Sequence, residues 1–196
     1  QMVEETQRLL DLMGVPWVTA AAEGEAQAAV MAAKGQLAQA RALLQQSEVA
    51  LRPMGLRAVR HRTDVILHIS RQDLRAGHLQ RAAERVEQAL DLARDRVRPG
   101  TLCYAYSLLA EAHLQAGMRP AAREAVERVT LYLRNMDRPE WAARLLACRV
   151  WIELGDREHA SRLMTSSSAP PVEHLYGHRA MWHALKARCL DSTDPD

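Results

Sequence analysis

The 196-residue chain contains no phenylalanine and only 4% aromatic residues. That shortage speaks against a β-sandwich or β-barrel, whose strands draw on aromatic and β-branched side chains. Lysine is nearly absent as well: Lys34 and Lys186 are the only two among 26 basic residues, so arginine carries the positive charge. The three cysteines, Cys103, Cys148 and Cys189, lie about 40 residues apart with no CxxC pair. Such spacing fits neither a disulfide framework nor a compact zinc site and points to a reducing cytoplasm. No run of 18 apolar residues occurs, and no basic segment leads into an apolar one, so neither a membrane span nor a secretion signal is expected. The motifs GxxxxGK with Ser or Thr, GxGxxG, GxSxG and HExxH are all missing. The chain is therefore expected to be no enzyme and to use no cofactor.

What is present is 48% hydrophobic and 26% charged residues, the mixture of a folded domain whose core is built from Ala, Leu, Val and Met. The net charge of +2 is too small an excess to call for a nucleic-acid surface. Residues 52–98 hold 11 Arg against 6 acids, but these arginines alternate with apolar residues at helical spacing and read as solvated helix faces.

An internal repeat organises the chain. Gly35, Gly77, Gly117 and Gly155 are separated by 42, 40 and 38 residues. Five positions after each glycine stands Ala40, Ala82, Ala122 or Ala160; seven before stands Ala28, Ser70, Ala110 or Cys148. Nine after are Leu44, Val86, Val126 and Met164; three before are Ala32, Leu74, Leu114 and Ile152. A left-handed glycine ends one helix and lets the next begin. The small residues mark where two helices approach closely, and the apolar positions fill the layer between pairs. A second set of stops, at Gly14-Val15-Pro16, Pro53-Met54-Gly55, Pro99-Gly100 and Pro139, falls between the copies.

The pattern predicts helices over about 2–13, 17–34, 37–52, 56–76, 79–97, 101–116, 120–135, 139–154, 157–165 and 173–190. The expected fold is all-α, a right-handed α-solenoid of helical hairpins forming one array over 1–196. Its repeats cover about 17–55, 56–100, 101–138 and 139–171, with partial repeats at 1–14 and 172–190 and a tail at 191–196. Helix 2–13 has no partner before it, and the chain starts at Gln1. A fragment of a longer protein is expected, with homodimerisation through the apolar face of Val3, Leu9, Leu10 and Met13.

The Gly-x-x-x-x-Ala junction, with a small residue seven before the glycine, resembles the tetratricopeptide (TPR) repeat over about residues 17–165. The copies are longer than the family's usual 34 residues and lack its aromatic columns. The run from Ala143 to Met164, with its Leu154-Gly155-Asp156 turn, resembles the late repeats of maltose-activator (MalT) type bacterial transcription regulators. There a proline-containing linker and a further helix follow, an order matched by Pro170-Pro171 and Leu175 to Leu190. This resemblance implies a cytoplasmic sensor region that binds a small-molecule inducer or a regulatory protein or peptide. It implies no direct nucleic-acid contact by the segment itself.

By the TPR pattern, the groove is lined by the first helix of each pair. Carried onto this sequence, the polar groove positions are Asp64, Arg71 and Arg75; Tyr104, Ser107, Glu111 and Gln115; and Arg149 and Glu153. Leu67, Leu74, Leu114, Ala142, Leu145 and Ile152 complete the set. Such a stripe suits a polar ligand or a peptide carboxylate held by arginine. The same residues would also arise from salt bridges between neighbouring repeats, such as Arg71 or Arg149 with Glu111. The nearest approach to a metal set, His174, His178 and His183 with Cys189, reads as surface or half-buried histidines, and no metal is expected.

Overall fold

Each repeat glycine adopts a positive φ, 78° at Gly35 and Gly77, 75° at Gly117 and 82° at Gly155. Each closes its helix with the same two backbone bonds. At Gly77, its own N–H donates to Leu74 O at 3.0 Å and the His78 N–H donates to Asp73 O at 2.8 Å. The pairs Gly35/Gln36, Gly117/Met118 and Gly155/Asp156 repeat the arrangement within 0.2 Å. This double closure satisfies carbonyls that a helix end otherwise leaves open.

The computed structural model describes residues 16–93, 96–136, 140–166 and 176–190, with side chains from residue 21 onward and, in the last helix, over 180–189. The chain divides into two compact units, residues 1–97 and 98–196. The first contains α1 (Pro16–Ala33), α2 (Leu37–Leu51), a 3-10 segment (Arg52–Ala58), α3 (Val59–Arg75) and α4 (Leu79–Ala93). The second contains α5 (Pro99–Gln115), α6 (Arg119–Arg134), α7 (Trp141–Glu153), α8 (Arg157–Thr165) and α9 (Tyr176–Leu190). No strand occurs among the described residues. None of these helices is long and apolar enough to cross a membrane. The expected helix 2–13, its dimerising face, the Pro170-Pro171 linker, the first residues of the expected helix 173–190 and the 191–196 tail lie outside the described residues.

Two boundaries depart from expectation: α4 is assigned to Ala93 and not to 97, where the chain bends, and the start of α3 is late for a clear reason. Helix α3 begins at Val59 and not at 56, because Pro53 and Gly55 interrupt the chain; Gly55 sits at φ 55°, ψ −130°, which no helical residue adopts.

Within each unit the repeat columns meet. The alanines five after the glycines are all 0% exposed. Ser70 Oγ donates to Ala82 O at 2.9 Å, and Cys148 Sγ makes the equivalent contact with Ala160 O at 3.7 Å. In the first unit, α1 packs on α2 and both pack on α3, which pairs with α4. Leu44, Leu51, Val65 and Ile69 fill that core. In the second, α5 pairs with α6 and α7 with α8, while α9 lies on α7 and α8. Val126, Val129, Leu145, Trp151, Leu163 and Trp182 fill its core.

The position four before the glycine is a recurring joint between hairpins. In the first unit it is Asp73, fully buried, whose carboxylate meets Arg41 Nε of α2 at 3.2 Å and Arg85 Nε of α4 at 2.9 Å. In the second it is Trp151, with Arg123 of α6 over its indole at 5.4 Å and His159 of α8 stacked on it at 4.6 Å. Arg41 and Arg123 each stand six after the preceding glycine, so one arginine column serves an ion pair in one copy and a cation–π contact in the other.

Candidate functional site

A pocket of about 400 Å3 on the second unit is lined by Glu111, Leu114 and Gln115 of α5, Arg119 of α6, and Arg149 and Glu153 of α7. Glu111 is only 5% exposed, and its carboxylate is held by two side chains. Gln115 Nε2 donates to Oε1 at 2.5 Å, one turn along the same helix. Arg149 engages both oxygens, with Nε donating to Oε2 at 3.2 Å and Nη2 paired with Oε1. This fork fixes the guanidinium plane against the carboxylate. Arg119 Nη2 donates to the Glu153 carbonyl at 3.0 Å, tying the start of α6 to the end of α7. The Glu153 carboxylate takes Arg188 of α9 at 2.8 Å. The result is a mixed-charge cleft that presents amide and guanidinium donors beside carboxylate acceptors. It suits the backbone and polar side chains of an extended segment better than an apolar ligand.

The structure thus gathers four of the expected groove residues, Glu111, Gln115, Arg149 and Glu153, around one opening. Ser107 does not reach it. It shares a helix face with Glu111, but its short hydroxyl turns back to the Tyr104 carbonyl at 2.7 Å and the residue is buried. Leu67, Leu74, Leu145 and Ile152 are likewise core residues, whereas Leu114 does line the pocket. Tyr104 is half-buried on α5. Asp64, Arg71 and Arg75 belong to α3 in the first unit. Arg75 Nη2 is engaged at the end of α1, donating to Ala32 O at 3.1 Å, and Arg71 is exposed. Asp64 acts electrostatically on Glu25 and His68, which face each other at 3.6 Å between α1 and α3.

Arg119 escaped the first-helix rule because it opens a second helix. The signal for it was the Arg119-Pro120 pair directly after the Gly117 turn, which places the side chain at the pocket's edge.

The cysteines carry no exposed reactive thiol. Cys103, Cys148 and Cys189 are buried and in no disulfide, and burial pushes the Cys103 and Cys148 thiols up to about 12. Among the described residues no three His, Cys, Asp or Glu side chains come together as a metal site. His174 and the side chain of His178 lie outside the described residues; His183 packs edge-on against Trp182 at 5.0 Å.

No family model matches the chain. Short stretches are similar to archaeal flap endonuclease 1: 70% identity over 37 residues with the Ignicoccus hospitalis protein and 74% over 34 residues with that of Caldivirga maquilingensis. These matches cover 19% and 17% of this chain, and the chain spans only about a tenth of the length of those relatives. Among solved structures, TPR-like repeats of a Podosopora anserina protein described as a kinesin light chain superpose with a TM-score of 0.61, and a single-residue variant of the same repeats with 0.62. Both are 20% identical, and each match covers 86% of this chain and 84% of that one. In fold, the chain is an all-α solenoid of TPR-like helical hairpins.

Proposed function

We propose that the chain is a partner-binding segment that grips an extended polar stretch of another protein in the cleft between α5 and α7, and catalyses no reaction. The observation that carries this reading is the Glu111 carboxylate. It is nearly buried, yet held by Arg149 and Gln115 at the wall of an open 400 Å3 pocket on TPR-like hairpins. The test compares affinity capture by the chain and by the Glu111→Ala, Arg149→Ala double variant, with helicity checked by circular dichroism. Proteins retained by the first and lost by the second are the expected outcome. An unchanged bound set in a folded variant overturns the cleft assignment.

Within that reading we place the segment in a regulator of the maltose-activator type, responding to an inducer or a regulatory protein. The run Ala143 to Met164, with its Leu154-Gly155-Asp156 turn, supports this. A DNA-binding helix-turn-helix encoded in the same reading frame is the expected finding. Its absence from the full gene favours the alternative, a TPR scaffold that joins two proteins. A tenth of a flap endonuclease does not carry that protein's activity across.

A further inference from the structure

A second charged cluster lies in the first unit, and it is out of balance. Asp73 of α3 is 0% exposed, and three arginines converge on its carboxylate. Arg41 of α2 and Arg81 of α4 approach Oδ1 at 3.2 and 3.5 Å, and Arg85 of α4 approaches Oδ2 at 2.9 Å. All three closest approaches are made by Nε; that of Arg85 is a hydrogen bond, whereas Arg41 Nε and Asp73 Oδ1 are buried without one. Their side chains keep 27%, 41% and 22% of their surface in solvent. One carboxylate offsets one guanidinium, which leaves two positive charges concentrated at the rim. Glu84 and Glu87 of α4 make no ion pair with the three; Glu84 instead accepts from the Gln80 amide at 2.9 Å.

A stability clip needs one arginine for one buried carboxylate. Three leave mutual repulsion that a further anion relieves. We infer that Arg41, Arg81 and Arg85, gathered around the buried Asp73, form a cradle for the phosphoryl group of a phosphorylated peptide. The charge match selects the ligand: a phosphomonoester carries close to two negative charges at neutral pH and offers three acceptor oxygens to planar guanidinium donors. A phosphodiester of nucleic acid carries one charge per phosphate and is favoured by a long basic track, whereas this cluster is a single point. Arg85 is already held by its hydrogen bond to Asp73, so it has little side-chain freedom left to lose on binding. The inference does not rest on the cleft of the second unit, so either site can fail alone.

The test titrates the whole chain with a phosphoserine peptide, its unphosphorylated twin, phenyl phosphate, methyl phenyl phosphate and a single-stranded DNA 20-mer, read by calorimetry. The expected result is saturable binding of the phosphopeptide and of phenyl phosphate, with methyl phenyl phosphate and the unphosphorylated peptide at least about tenfold weaker. Arg81→Gln, the most exposed of the three, and Arg41→Gln on a separate helix should each weaken the phosphopeptide about tenfold, while Arg60→Gln, exposed on α3 outside the cluster, leaves it unchanged. Thermal melting of each variant confirms folding. No saturable phosphopeptide binding, or binding by both folded cluster variants equal to that of the parent chain, overturns the proposal. Equal or tighter binding of the DNA overturns the choice of a peptide.

Discussion

Ser70 donates its hydroxyl to the carbonyl oxygen of Ala82 at 2.9 Å, where the two helices of a hairpin are in contact. Both residues are fully buried, and the equivalent pair in the second unit is Cys148 with Ala160. The crossing admits a small donor and nothing larger. Ser70→Leu is expected to destabilise by about 2–3 kcal/mol through overpacking. Cys148→Ser, which puts into one copy what the other already has, should cost about 1 kcal/mol or less. Thermal melts of the two variants check this, and equal losses count against the shared crossing.

A second close approach lies between α1 and α2. A Cβ added to Gly24 would sit 2.2 Å from Ser47 Oγ but 3.5 Å from Ser47 Cβ. Gly24→Ala alone should therefore destabilise, because the Ser47 hydroxyl must leave its bond to Leu43 O. In a Ser47→Ala background the obstruction is gone and Gly24→Ala should stabilise by about 0.5–1 kcal/mol, the ordinary advantage of alanine inside a helix. The change of sign in a double-mutant cycle by urea denaturation is the measurement.

The pair at the cleft predicts an asymmetry. Arg149→Ala leaves a nearly buried carboxylate with only Gln115 bound to it, and is expected to cost about 1–3 kcal/mol. Removing both partners, as Glu111→Ala with Arg149→Ala, should cost less than Arg149→Ala alone. Unfolding free energies of the two variants decide it.

Opposite pH slopes meet between α1 and α3. Burial first, and the Asp64 charge second, raise the Glu25 carboxyl from 4.5 to about 7. Folding therefore favours its protonated form: that contribution is full below about 4.5 and is lost as pH rises through about 7. Burial lowers His68 below 6.5, with Asp64 opposing and Arg71 assisting. Its contribution is full above 6.5 and is lost as pH falls through the lowered value. Glu25→Gln should unmask a stability that rises with pH up to about 6.5; His68→Asn should unmask one that falls between about 4.5 and 7. Melting temperatures across pH 4 to 8 read both.

The hairpins were legible in the sequence because their punctuation is stereochemical. A positive φ after a helix demands glycine, and a helix crossing at contact distance demands Ala, Ser or Cys, so four glycines and two columns place most helix ends within about two residues. The start of α3 was less legible: Arg52–Ala58 forms a 3-10 turn around Pro53 and Gly55 where the helical period alone extends the helix. Groove positions were legible where side chains are long. Spacing gives a face, but whether a residue on it reaches solvent depends on length, which separates Glu111 from Ser107 on the same α5 face. The Asp73 cluster was hidden. Its arginines come from two other helices, and a run of basic residues looks the same whether it is solvated or converges. The clue was positional, since Asp73 shares its column with Met31, His113 and the buried Trp151, and a lone acid in a column otherwise without one has its charge answered from elsewhere.

The turns that end the first helices are all closed by backbone hydrogen bonds. Gln36 and Met118 open the following helices with no side-chain cap, whereas Asp156 adds its carboxylate, accepting from the His159 N–H at 3.2 Å. Hairpin geometry is therefore specified by a few glycines and small residues, and the outward positions carry little responsibility for it. Selection can rewrite those surfaces for a new partner while the hinges keep their shape. A lineage of such chains is expected to keep its bends long after its faces have become unrecognisable.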